Sequence, residues 1–205
     1  MPDDCSLRER LVDAGVELVL TDGPVGLREI ARRAGVSHGA PRRYFPTHHA
    51  LLSAIAGRGY RELADRFALV PAGTVPPREQ LAAIARVYVG YALERRGMFE
   101  LMFRHDLLGG GRQASGLPPL RESTLPLFAR LVELVRRCGA GPDDPAVTAA
   151  ALWSGMHGIA QLWTWGSLQL ALSESEPDRG RLDRLITAVL NAHLDRPTSR
   201  GREPR

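Results

Sequence analysis

Residues 27–55 read LREIARRAGVSHGAPRRYFPTHHALLSAI. Leu27, Ile30 and Ala31 recur at helical spacing, so LREIARRA predicts a short helix with those three inward. Gly35 follows where a helix commonly closes on a left-handed residue. Ser37 is placed to cap a third helix running to about Tyr44, which Phe45-Pro46-Thr47 ends. Thr47 then caps a long fourth helix from about His48 to Val70. Two short helices joined by a glycine turn, the second polar and basic, form the helix-turn-helix pattern. Ala31 is small where the two helices cross, and Val36 plugs the small core from the turn. Ser37 offers its hydroxyl either to orphan N–H groups or to a phosphate. Pro41 removes at most one backbone bond near the helix start and helps fix the entry geometry.

Charge is concentrated on the same segment. From Leu27 to Leu52, Arg28, Arg32, Arg33, Arg42 and Arg43 face Glu29 alone, and His38, His48 and His49 add polarity. Positive charge gathered on one face suits a polyanion, with a solvated basic face as the plain alternative. Over the whole chain charge decides less. All 27 basic residues are arginine, a bias that a GC-rich coding sequence would also produce, and the net charge is only +4. Residues 196–205, RPTSRGREPR, supply four arginines against one glutamate and read as a disordered basic tail.

The rest of the 205-residue chain, whose overall apolar fraction is 44%, reads as helical with no sustained strand alternation. A first helix is expected to begin at Ser6, whose capping box with Glu9 precedes Leu7, Leu11, Ala14 and Leu18. Further helices are expected at about 77–95, 97–106, 119–138, 145–170 and 178–194. LLGGGRQASGLPP, at 107–119, is a glycine-rich interruption without the Lys-Ser/Thr ending of a phosphate-binding loop. No membrane span or secretory signal stands out, which suggests the cytoplasm. Cys5 and Cys138 suit two reduced thiols rather than a disulfide or zinc framework. The fold class expected is all-α: a three-helix N-terminal unit over 1–50, then a larger bundle over 51–195 and the tail from 196.

The stretch at 27–55 resembles the DNA-binding domain of the TetR family of bacterial transcriptional regulators. The family pattern I-A-x-x-A-G-V-S-x-x-x-x-Y-x-x-F is matched at Ile30, Ala31, Ala34, Gly35, Val36, Ser37 and Phe45, with Leu51 and Leu52 continuing into helix four. ALWSGMHGIAQLW at 151–163 resembles the Trp-x-x-x-His-Gly signature of a subgroup. Two positions depart from the pattern: Arg42 replaces the usual tyrosine, and Thr47-His48-His49 replaces a link usually reading Asp-Lys-Glu. In relatives that tyrosine and lysine contact phosphates; Arg42 offers a stronger contact, and His48 one that depends on pH. The resemblance implies a homodimer on a palindromic double-stranded operator, with a recognition helix in each of two major-groove half-sites. Arg28, Ser37, Arg42, Tyr44 and His48 would position the backbone, while His38, Gly39, Ala40 and Arg43 lie where base edges are read. Repression, released by a small and largely apolar effector, is the expected function.

For the larger domain, Ala151, Gly155, Gly158, Leu162 and Trp165 form a stripe of small and apolar residues expected at the dimer interface. Leu182, Leu185, Ile186 and Val189 join them there from the last helix. Leu152, Met156, Ile159 and Trp163 face elsewhere. Phe99, Met102, Phe103, Trp153, Met156, His157 and Gln161 combine apolar walls with polar handles, as effector sites do, although each alone also suits an ordinary core. No cofactor or metal is implied. An enzyme is the main rival, but His105-Asp106 lacks the companions of a helical phosphohydrolase, and no nucleophile turn is present. A helical ligand-binding or interaction protein with weak or no DNA affinity is the second rival.

Overall fold

The computed structural model describes residues 4–21, 26–73, 75–104, 120–139, 144–172 and 179–195. The 107–119 stretch, His105-Asp106 and the tail from 196 lie outside them. The described residues form helices and connections, with no strand among them: α1 (Asp4–Leu20), α2 (Leu27–Arg33), α3 (Pro41–Tyr44), α4 (His48–Ala68), α5 (Pro77–Glu94), α6 (Arg96–Phe103), α7 (Leu120–Cys138), α8 (Pro145–Thr164), α9 (Ser167–Ala171) and α10 (Arg179–Leu194). No described helix is long and apolar enough to cross a membrane. The all-α expectation is met.

The chain divides into two compact units. One holds the described residues within Met1–Arg66 and Tyr91–Pro126, the other those within Phe67–Gly90 and Leu127–Arg205. In the first, α1 packs against α2, α3 and α6. Leu11, Leu18, Ile30, Ala31, Phe45, Leu51 and Ile55 are buried at its centre. A Cβ on Gly15 would overlap the Ile55 side chain, so α1 and α4 approach too closely for a larger residue. Removing this apolar surface from water holds the unit together, since α2 and α3, at seven and four residues, are too short to persist alone.

Three local expectations need correction. The chain is already helical at Asp4, so Ser6 lies inside α1, whereas a capping residue stands outside its helix. Ser37 does not cap α3 either: the helix starts at Pro41 behind the N-cap Ala40, with no side-chain cap. Pro41 has no N–H to offer the Ser37 carbonyl, which takes the Ala40 N–H at 3.0 Å in a tight turn instead. The helix expected over 145–170 breaks at Trp165-Gly166. Gly166 adopts φ +76°, closes α8, and lets α9 start in a new direction. By contrast Thr47 caps α4 as expected, its Oγ1 accepting from Ala50 N at 3.1 Å.

In the second unit α8 packs on α9 and α10. The Asp144 side chain accepts from Ala146 N at 2.9 Å and Pro145 fills the first helical position, which sets where α8 begins. A Cβ on Gly155 would lie 2.7 Å from Val189 Cγ1, so this glycine is the point of close approach between α8 and α10. Leu152, Met156, Ile159 and Trp163 are buried on the adjoining face.

Candidate functional site

The turn between α2 and α3 is closed by backbone hydrogen bonds. Gly35 adopts φ +68°, a left-handed value that favours glycine. Its N–H donates to the Arg32 carbonyl at 3.2 Å, and Val36 N–H donates to the Ala31 carbonyl at 3.0 Å. Together they satisfy the last carbonyls of α2 in a Schellman arrangement. Beyond it, Pro41 and Phe45 are buried while Ser37, His38, Gly39, Arg42 and Arg43 are exposed; Ala40, Tyr44 and His48 are half-buried. One side of the segment is thus bolted to the core and the other presents polar and basic groups to solvent.

The arginines around this turn divide into two sets. Arg32 Nε donates to Glu29 Oε2 at 2.9 Å, and Arg33 Nη1 to Glu17 Oε2 at 3.2 Å. The Glu29 carboxyl is held below its ordinary pKa by that bond to Arg32. Arg28, Arg42 and Arg43 are exposed and form no ion pair with a described residue. The sequence counted five arginines against one acid here, but Glu17 on α1, outside the counted window, engages a second. What remains open is a set of three guanidinium groups, each with bidentate geometry suited to phosphate or guanine.

Residues expected to meet the effector fall in both units. In the first, Phe99 and Met102 are buried and Phe103 is half-buried. Phe103 packs edge-on to Tyr60 at 6.0 Å and against Phe99 at 4.9 Å between ring centroids. The Tyr60 hydroxyl donates to the Met102 carbonyl at 2.7 Å, and burial pushes its pKa up to about 12. A Cβ on Gly59 would fall 2.6 Å from Met102 Sδ, so the middle of α4 packs directly against the Met98 and Met102 side chains.

In the second unit Trp153 and His157, one helical turn apart on α8, converge on one hydroxyl. Trp153 Nε1 donates to Tyr88 Oη at 3.0 Å, and Tyr88 Oη stands 2.9 Å from His157 Nδ1. The oxygen accepts from the indole and shares a hydrogen bond with the imidazole, either as donor to Nδ1 or as acceptor from Nδ1–H of the neutral ring. Burial lowers the His157 pKa and favours this neutral form. Sequence reasoning missed Tyr88: it lies on α5, far from the tryptophan and histidine in the chain, and no local spacing announces it. Met156 is buried beside them and Gln161 half-buried.

Of the residues expected at a dimer interface, Gly155 and Val189 meet inside the unit and Ile186 is buried in its core. Ala151, Leu182 and Leu185 are half-buried; Leu162 and Trp165 are exposed. A Cβ on Gly158 would meet nothing within 4 Å, so the chain's own packing does not explain why this position is glycine. Among the described residues no three His, Cys, Asp or Glu side chains gather as metal ligands would.

A family model described as the tetracyclin repressor-like C-terminal domain matches residues 81–189, more than half of the chain. The chain belongs to the TetR family. Solved structures share its fold. A protein of unknown function from Rhodococcus sp. RHA1 aligns with a TM-score of 0.70 at 28% identity, over 92% of this chain and 95% of that one. The multidrug binding protein EbrR, solved with imidazole, aligns at 0.61 and 25% identity over 97% and 96%. A TetR-like transcriptional regulator, also from Rhodococcus sp. RHA1, aligns at 0.62 and 17% identity over 90% and 93%. No curated protein matches the chain. With the TetR assignment the turn at 34–45 and the Tyr88 cluster fall into the N-terminal and C-terminal portions of one regulator fold.

Proposed function

We propose that this TetR-family chain is a ligand-responsive transcriptional regulator, a cytoplasmic repressor that binds a palindromic operator as a homodimer and leaves it when a small effector binds. The observation that carries the proposal is the open pair Arg42 and Arg43 on a turn whose opposite side is anchored by Pro41 and Phe45. Arg28, Ser37, Arg42, Tyr44 and His48 hold the phosphate backbone; His38, Gly39, Ala40 and Arg43 face the bases. Residues 1–50 act as the DNA-binding domain and 51–195 as the effector and dimer domain, with a basic tail beyond.

The effector is largely apolar and uncharged, because a cation or anion beside the half-buried neutral His157 would be poorly solvated. Trp153, Met156, His157 and Gln161 supply polar and apolar contacts, with Tyr88 holding the histidine ring in place. The likeness to the multidrug binding protein EbrR, solved with imidazole, supports a small-molecule effector. For the dimer, Ala151, Gly158, Leu162 and Trp165 meet a second copy, joined by Leu182 and Leu185. Gly155, Ile186 and Val189 support that surface from inside. The effector works only by binding one of two dimer states better than the other.

The test is retardation of the DNA flanking the chain's own gene, first alone and then with a panel of neutral aromatic compounds. The proposal expects salt-sensitive retardation that one class of compound abolishes. A protein that retards no duplex at any salt concentration, yet binds compounds, is instead a ligand-binding protein of the same fold.

A further inference from the structure

A helix of four residues does not hold its own geometry, because nucleating one turn costs more than its few hydrogen bonds return. The aim of α3 is therefore set from outside, and two of the outside contacts come from α1. Arg10 Nη2 donates to the Ala34 carbonyl at 2.6 Å. Ala34 is the C-cap of α2, so the guanidinium satisfies a carbonyl that the helix end leaves orphaned and sits at the negative end of its dipole. The same Nη2 lies 3.7 Å from where a Cβ on Gly35 would stand, so Arg10 closes over the left-handed turn itself. Arg8 lies with its Cζ 5.2 Å above the centroid of the fully buried Phe45 ring. The recognition segment enters at Ala34 and leaves at Phe45. Each end carries an arginine of α1, and the two depart about 200° apart around that helix.

We propose that Arg10 is a positioning residue for DNA recognition, one that holds the Ala34-Gly35 turn and thereby aims Arg42 and Arg43 without touching phosphate itself. The inference rests on the DNA-binding reading above. Its chemistry differs from that of Arg42 and Arg43: their guanidinium groups have no described partner, whereas that of Arg10 is already bonded to the backbone it orients. Losing the bond loosens the turn and spreads the directions available to α3, which weakens binding without removing a cation–phosphate contact.

The experiment uses the full chain and a duplex that the wild type selects from a random pool, with affinity read by fluorescence anisotropy across a salt series. Arg10→Met keeps the aliphatic stem and removes the donors. It should bind roughly five- to tenfold more weakly at every salt concentration, the scale of one hydrogen bond's net contribution, with an unchanged slope of log K against log salt. Arg42→Gln, measured alongside, should flatten that slope by about one unit per protomer. Arg10→Lys restores a donor and should recover most of the affinity, and hydrogen exchange at the Val36 amide should quicken in Arg10→Met alone. Wild-type affinity in Arg10→Met overturns the proposal, as does a flattened slope, which would make Arg10 a phosphate contact. A wild type that selects no duplex overturns the DNA-binding reading itself, and is told apart by the missing baseline.

Discussion

Arg42 and Arg43 stand on the recognition turn without an ion pair to any described carboxylate, whereas Arg78 and Arg86 on α5 are each fastened to α10. Arg78 reaches Asp195 Oδ1 and Asn191 Oδ1, both at 2.7 Å, and Arg86 Nε reaches Asp183 Oδ1 at 2.8 Å. The two pairs have the same composition and comparable exposure, but opposite consequences. In the second unit the guanidinium groups clip one helix to another; in the first they meet no carboxylate among the described residues. Counting arginines does not separate these uses. Knowing which carboxylates fold back onto them does.

The largest expected effect breaks the comparison at the open pair. Arg42→Gln with Arg43→Gln should weaken duplex binding by at least about 30-fold, since each bidentate contact is worth about 1–3 kcal/mol, and leave thermal unfolding unchanged. Equal loss of stability and binding would mean that these arginines support the fold.

This asymmetry also marks what the sequence could tell. Apolar spacing and Gly35 announced the helix-turn-helix, because a Schellman turn needs its glycine and the three helices need Leu11, Ile30 and Phe45 to share a core. The Thr47 cap was legible for the same local reason. Ser6 and Ser37 were not, since a capping residue works only where the helix actually starts, and at α3 the missing N–H of Pro41 decides that. The glycines of α8 looked alike in the sequence; only the position of Val189 separates Gly155, filled from within, from open Gly158. Tyr88 was invisible for a different reason. Its role depends on α5 lying beside α8, a tertiary fact with no signature in either segment.

The Tyr88 cluster is the closed counterpart of the open turn, and its removal should cost stability rather than DNA affinity. Tyr88→Phe strips the partner from both Trp153 Nε1 and His157 Nδ1, and urea unfolding should show a loss of about 1–2 kcal/mol. An unchanged unfolding midpoint would show that water replaces the hydroxyl at no cost. A smaller effect follows from pH. The His157 pKa is lowered in the folded chain from its ordinary value of 6.5. As pH falls through about 6.5 the unfolded imidazole takes up a proton first, so stability is full above that value and declines below it. His157→Gln should flatten this part of a thermal-unfolding profile between pH 7.5 and 5, and an unaltered profile would assign the decline to other groups. Arg78→Gln with Arg86→Gln should be the mildest change. Exposed pairs contribute about 0–1 kcal/mol each, and DNA binding should not move. A large loss would mean that α5 and α10 depend on these clips far more than surface ion pairs usually allow.

The central claim is that open arginines on a braced turn meet a phosphate backbone, and the salt dependence of duplex binding by the wild-type chain tests it most directly. Three open arginines from each of two copies predict a slope of log K against log salt near −5, at about −0.9 per phosphate neutralised. A slope near zero, or no binding to any duplex at low salt, would contradict it.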